Sequence, residues 1–218
     1  MDKLSPLYRN DAEAGIDPEL RDYLDKEFFQ KLANIDETNP KVLVVFAGGN
    51  AVGKSTLSAK IAEELHGICL ENDGVKRAIL ATKPDLAMTD ELHNITWRYT
   101  MDLYRRLDTV THNGLVIRDG IITWYYDRIL PIFESRGYKI FIIGYDLSEE
   151  KMRQLIAARG DTATSTMERF YQLITDQKIH FKRFFKAYNA DIMLDDASVF
   201  DHDKVVQALR AVVNGAKR

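Results

Sequence analysis

One cysteine, Cys69, is all that this chain of 218 residues carries. Without a second thiol no disulfide framework can form, and a reducing compartment is the natural setting. No apolar run approaches the ~20 residues that a transmembrane helix needs. The opening MDKLSPLYRNDAEAG is too polar for a secretory signal. A cytoplasmic chain with no membrane partner is therefore expected. An excess of one charge is also lacking: 30 basic residues meet 33 acidic ones, for a net charge of -3. Nothing global draws the chain to a phosphate backbone, so nucleic acid enters only as a strand end. The five histidines show no metal-ligand spacing such as H-x-x-x-H. No repeat, low-complexity segment or domain linker interrupts the sequence.

What is present is an alternation of short apolar runs and helical stripes. Polar residues 1–15 lead into Pro18–Ile35, where Leu20, Leu24, Phe28 and Leu32 fall at helical spacing. Five apolar strands follow: Val42–Ala47, Ile68–Leu70, Leu115–Ile117, Lys139–Gly144 and Asp191–Leu194. Between them lie helical patterns from Lys54, over Val75–Ala81, from Thr89 to Val110, and over Tyr125–Arg136. Pro131 must kink the last of these or mark its true start. Further helices are expected from Ser148 to Arg159, along Phe170–Tyr188 and over Asp201–Val213. Strand and helix alternating five times predict an α/β fold with a parallel sheet. Its expected organisation is one domain over 1–218. An N-terminal helical extension takes 1–39, a core 40–197 and a C-terminal helix 198–218. Lys178–Tyr188 (KIHFKRFFKAY) is basic with interleaved aromatics, and their helical spacing reads as a core face opposite a solvated one.

The first strand runs into Gly48, Gly49, Asn50, Ala51, Val52, Gly53, Lys54, Ser55 and Thr56. The first eight residues fit G-x-x-x-x-G-K-[ST] in full, after a strand and before a helix. A triphosphate needs many donors close together. Glycines let the backbone point several N–H groups at one centre, and the helix adds its positive end. Lys54 would reach the β- and γ-phosphates, and the Ser55 hydroxyl would join the shell of a Mg²⁺ ion. ATP is the expected ligand; GTP is disfavoured because no Asn-Lys-x-Asp run reads guanine.

A bound triphosphate serves a kinase, or it serves a switch or regulatory ATPase. Asp73 lies just past the second strand, where a carboxylate can take a proton from an acceptor hydroxyl; the plain alternative is a helix cap. Lys76 and Arg77 follow and could hold an anionic acceptor. LVIRDG ends the third strand in Asp119, placed to orient Mg²⁺, with Arg118 interrupting the usual apolar run before the acid. Arg153, Arg159 and Arg169 flank the polar stretch Asp161–Thr166, a candidate lid whose arginines could neutralise transition-state charge. The region from Asp73 to Asn113 is the expected acceptor wall, with Arg98, Tyr99 and Asp102 as its polar candidates.

GGNAVGKST, the Glu71-Asn72-Asp73 run with Lys76 behind it, LVIRDG, and the arginines near Arg159 together resemble the P-loop kinases. The likeness is to the branch that holds zeta toxins and the small kinases related to polynucleotide kinase. It extends over about Lys41 to Asp195. It implies a three-layer P-loop NTPase fold, a five-stranded sheet in the order 2-3-1-4-5 and a helical lid. It also implies transfer of a γ-phosphate to a hydroxyl of a small molecule, nucleoside, sugar nucleotide or nucleic-acid end. The zeta-toxin base maps to Asp73, and their Glu-Gly maps to Asp119-Gly120. The toxins also carry a glutamate on the helix before the third strand, where this chain has Met101 or Asp102; a UDP-N-acetylglucosamine kinase of that type stays as the alternative within the class. The sequence leaves the acceptor and the oligomeric state open.

Overall fold

A strand flanked by strands on both edges and covered on both faces has no polar side to show. Val42–Ala47 (β1, VLVVFA) is such a strand: every residue is buried. It pairs in parallel with Leu115–Ile121 (β3) on one edge and Lys139–Tyr145 (β4) on the other. Ile68–Glu71 (β2) adds to β3 and Ile192–Leu194 (β5) to β4. The result is a five-stranded all-parallel sheet in the order β2-β3-β1-β4-β5. The computed structural model describes residues 15–87, 89–109, 113–162 and 166–215. The alternation along β1 runs between two cores. Val42, Val44 and Phe46 enter one, Leu43, Val45 and Ala47 the other.

The helices divide accordingly. Lys54–Leu65 (α2), Glu149–Arg159 (α6) and His202–Gly215 (α9) cover the Val44 face through Leu57, Ile61, Met152, Ile156, Val205 and Leu209. Pro18–Leu24 (α1), Asn72–Thr82 (α3), Asp90–Arg106 (α4) and Tyr126–Glu134 (α5) cover the Val45 face. Met167–Gln172 (α7) and Ile174–Phe184 (α8) follow α6. Sheet and helices form three layers, the P-loop NTPase architecture.

The helix starts follow their caps: Thr89 accepts from the Leu92 N–H at 3.2 Å and Ser148 from the Lys151 N–H at 3.1 Å. Several boundaries depart from expectation. The expected helix 18–35 is α1 continued by a π-turn over Asp25–Phe29 and a last turn Gln30–Leu32. Pro131 lies inside α5 and does not start it. The Phe170–Tyr188 pattern breaks at Leu173 into α7 and α8, and only Phe184 of its basic half is fully buried. The end of the Thr89–Val110 pattern and half of the Asp161–Thr166 stretch, 163–165, lie outside the described residues.

Two departures reshape the site. α3 begins at Asn72, so Asp73 sits in its first turn. β3 continues to Ile121, and its register with β1 jumps from Val45 opposite Arg118 to Phe46 opposite Ile121. Asp119 and Gly120 therefore bulge out of the β1 ladder at the carboxyl end of the sheet.

The α1 segment is fastened to α4 by charge. The Asp25 carboxylate accepts from the Tyr99 hydroxyl at 3.0 Å and from both Arg106 Nη atoms at 2.9 and 2.6 Å. Asp102 lies 2.6 Å from Arg21 Nη2 and 2.8 Å from Arg106 Nε, and the Phe29 ring supports the Arg106 guanidinium at 4.1 Å. Tyr99 and Asp102, expected on an acceptor wall, are thus spent on this join, because α1 packs over that face of α4.

Burial works to raise the Asp25 pKa, but hydrogen bonds from Arg106 and Tyr99 outweigh it and hold the carboxyl below its ordinary value. A depressed folded pKa gives stability that is present above the unfolded value and is lost as the pH falls through the folded one. Asp25→Asn should therefore cost about 1–3 kcal/mol at pH 7. The gap to the native protein should shrink as the pH drops below about 4. Denaturant unfolding of both proteins across this range checks it; a pH-independent gap would refute the ionic account.

Candidate functional site

The loop between β1 and α2 takes its shape from two kinds of constraint. Gly53 adopts φ 82° and Ala51 φ 60°, left-handed conformations that turn the chain inward. At Gly48 the limit is contact: a Cβ there would lie 2.7 Å from Tyr145 Cβ on β4. The loop ends at the N-terminus of α2, where free backbone N–H groups and the helix dipole favour an anion.

Lys54 opens α2, and its ammonium folds back to donate to the Gly49 carbonyl. Burial lowers its pKa to about 8; Asp119 and Asp73 oppose that, and Arg159 adds to it. These four charged side chains therefore act on one another electrostatically. Asp119 comes from the β3 bulge beside the Ser55 hydroxyl. Burial raises its pKa, while Ser55 and Lys54 pull the other way. Asp119 also stands opposite Glu71 in the β2–β3 register.

Asp73 is half exposed, with Lys76 Nζ at 3.1 Å. Burial raises its pKa, but Lys76 outweighs burial, with help from Arg159 and Arg77, and the carboxyl stays below its ordinary value. Arg77 reaches Glu71 at 2.9 Å. His93 of α4 belongs to the same field. Burial drops its pKa to about 4, with Lys76 and Arg169 adding to the drop and Asp90 and Asp73 opposing it. Arg159 also packs on the Phe170 ring at 5.2 Å.

Two candidates are engaged elsewhere. Arg153 is held by Glu149 at 2.9 Å and lies over the Tyr171 ring at 5.5 Å. Arg98 lies 3.7 Å from Glu91. The chain after α6 is shaped locally: Gly160 has φ 73°, and Asp161 Oδ1 accepts from the Met167 N–H at 2.7 Å. Among the described residues no cluster of three or more His, Cys, Asp or Glu side chains is placed to hold a metal, and no helix is long and apolar enough to cross a membrane.

Comparison with known proteins places this arrangement in a family. The AAA domain model AAA_33 matches residues 43–184. The chain belongs to the AAA domain family. Its match spans every element from β1 to the end of α8. No curated protein sequence matches it.

Solved structures with the same fold include a chain of the PezAT chromosomal toxin–antitoxin system of Streptococcus pneumoniae, with TM-score 0.58 and 10% identity over 83% of this chain and 79% of that one. A protein from Chloroflexus aurantiacus, provisionally assigned as a kinase, aligns with TM-score 0.56 and 16% identity over 82% of this chain and 98% of its own. A gluconokinase from Sinorhizobium meliloti aligns with TM-score 0.50 and 16% identity over 83% and 97%. At these identities the likeness is one of fold.

Two members of the site were missed by sequence reading. Gln177 on α8 is buried, and its Oε1 accepts from the Asn50 N–H of the loop at 3.1 Å. Its signal was a glutamine on the otherwise apolar stripe Phe170, Ile174, Phe181 and Phe184. Beside it opens a pocket lined by Gly48, Gly49, Tyr145, Met152, Gln177 and Phe181, with Lys178 and Lys182 on α8. His93 gave no signal, because its neighbours come from three separate elements.

Lys54 near pH 8 is half neutral, so a polyphosphate that restores its charge should take up a proton. Between about 8 and 10.5 the unfolded chain binds more protons at this site, so its contribution to stability rises with pH. Titration calorimetry with tripolyphosphate in two buffers of different ionisation enthalpy should show more proton uptake at pH 8 in the native protein than in Lys54→Met, and equal uptake at pH 6. Equal uptake at both pH values would contradict the lowered pKa.

Proposed function

We propose that this protein is an ATP-dependent kinase that transfers the γ-phosphate to a hydroxyl of a small molecule, nucleoside, sugar nucleotide or nucleic-acid end. The observation that carries this reading is the complete phosphate loop with Lys54 at its end, in the electrostatic field of Asp119, Arg159 and Asp73. Asp73 is half exposed, so a hydroxyl acceptor can reach it; an ATPase would use the same carboxylate on water, and the acceptor-labelling experiment below separates the two. The kinase neighbours in fold support the reading. A cytoplasmic setting suits it, given the single cysteine.

In this mechanism the loop N–H groups and Lys54 hold the β- and γ-phosphates. Asn50 releases Gln177 and Lys54 releases the Gly49 carbonyl as the phosphates arrive, since each now occupies a donor that the ligand needs. Asp73 orients the acceptor hydroxyl in line with the γ-phosphorus. As the new P–O bond forms, the bond to the ADP oxygen breaks and the acceptor proton passes to Asp73. Its low pKa suits late proton transfer to a group that is ionised at neutral pH. Arg159 and Lys76 balance charge on the moving phosphoryl group.

The residues fit a Mg²⁺ ion: the Ser55 hydroxyl and the Asp119 carboxylate are neighbouring hard oxygen donors, and this ion takes one or two protein oxygens beside phosphate and water. When bound, it neutralises phosphate charge. Asp119 must then be ionised, and its raised pKa would make metal affinity fall as the medium turns acidic.

Asp73→Asn should lose about 10²–10⁴-fold in kcat while binding ATP with near-native affinity. Labelled ATP supplied with a metabolite extract reads the activity: a labelled acceptor supports the kinase, and free phosphate alone supports the ATPase. Native-rate transfer by Asp73→Asn would reduce Asp73 to a helix residue.

Arg159→Ala should lower kcat for the acceptor reaction while leaving the KM for ATP within a few-fold, because charge neutralisation counts most in the transition state. A change confined to KM would place Arg159 in ground-state binding.

A further inference from the structure

Arg118 is the largest fully buried side chain among the described residues, at 1% exposure. Its Nε and Nη1 make no hydrogen bond among the described residues. A buried guanidinium is normally paired, since the cost of desolvating it is recovered only through acceptors. Its position says where the acceptor should come from. Asp119 turns toward Ser55 on the α2 face of β3. Alternation along the strand puts Arg118 on the other face with Val116, against α3 and α4. It is also the last β3 residue paired with β1 before the Asp119–Gly120 bulge, at the crevice where parallel α/β sheets receive ligands.

Other donors gather around it. A Cβ built on Gly120 would lie 3.1 Å from Arg118 Nη1 and 3.3 Å from Asn72 Nδ2, so two N–H groups converge on one spot that the glycine leaves uncovered. The Tyr104 hydroxyl is buried beside the guanidinium, close enough to accept from it, and has no other partner among the described residues. Two N–H groups, a hydroxyl and a full positive charge gather at a place where no carboxylate is paired with Arg118 among the described residues. Asn72 precedes Asp73, so this place adjoins the carboxylate proposed to receive the acceptor proton.

We infer that Arg118, Asn72 and Tyr104 form a subsite for an oxyanion, a phosphate or carboxylate, carried by the acceptor. The inference rests on the kinase reading and narrows it. The hydroxyl that receives the phosphoryl group belongs to a molecule already bearing an anionic group, fixed by the planar guanidinium fork on the α3–α4 side.

The test uses protein saturated with ADP and Mg²⁺, so that the phosphate loop is filled. Thermal unfolding is followed while inorganic phosphate or malonate is added, the two arms separating phosphate from carboxylate. The native protein should gain several degrees with one of them. Arg118→Met should show no gain, and without anion it should unfold at or above the native temperature, because an unpaired buried charge has been replaced by a matched apolar side chain. Asn72→Ala should unfold at the native temperature with a weakened gain. Silence of the native protein in both arms overturns the subsite, as does an undiminished gain in Arg118→Met. If Arg118→Met is merely unstable, Asn72→Ala decides: a weakened gain supports the subsite and an undiminished one overturns it. A protein that binds the anion yet labels no acceptor sinks the kinase reading and leaves the subsite. Transfer to an acceptor with no anionic group sinks the subsite and leaves the kinase.

Discussion

The Lys54 ammonium is the charge around which the molecule is arranged. It opens α2 just past a strand buried on both faces, half-buried among protein atoms, and burial lowers its pKa to about 8. A cation in that position needs oxygens close by. The Gly49 carbonyl supplies one directly, and Asp119 and Asp73 supply field from two other elements. The loop backbone is shaped before any ligand arrives, while the Lys54 ammonium and the Asn50 N–H are held in reserve by the Gly49 carbonyl and by Gln177.

That arrangement costs stability, and the sheet offsets it. β1 is flanked by β3 and β4, and its six side chains feed two apolar cores. Burying each large side chain is worth roughly 1.5–3 kcal/mol. On one side the covering layer depends on a polar clamp as well: Asp25, Arg106, Tyr99, Asp102 and Arg21 fasten the α1 segment to α4. The clamp fixes α4, and α4 carries both His93 beside Asp73 and Tyr104 beside Arg118. Packing far from the loop thus sets the wall that faces it.

Charge is divided between the two faces of β3. Asp119 on one face serves the Lys54–Ser55 corner, and Arg118 on the other stands among donors. Adjacent residues on a strand point to opposite sides, so a single dipeptide places an anion and a cation in separate chambers without pairing them. The bulge that follows keeps both at the open end of the sheet.

The sequence alone determined the alternation, the parallel α/β class, the loop and the caps at Thr89 and Ser148, because these signals are local: hydrophobic period, glycine placement and a hydroxyl three residues before an N–H. It also named Lys54, Asp73, Asp119 and Arg159, each next to a strand or helix end where ligands collect. Only the tertiary structure decided what lies between elements. Tyr99 and Asp102 looked like cleft residues on α4 until α1 packed over them. Gln177 reached the loop from 127 residues away, and a glutamine on an apolar stripe does not name its partner. Arg118 read as a blemish in an apolar strand; its lack of a carboxylate partner among the described residues became visible only once its neighbours were in place. Pairing over such separations depends on which faces meet, and spacing along the chain carries no record of that.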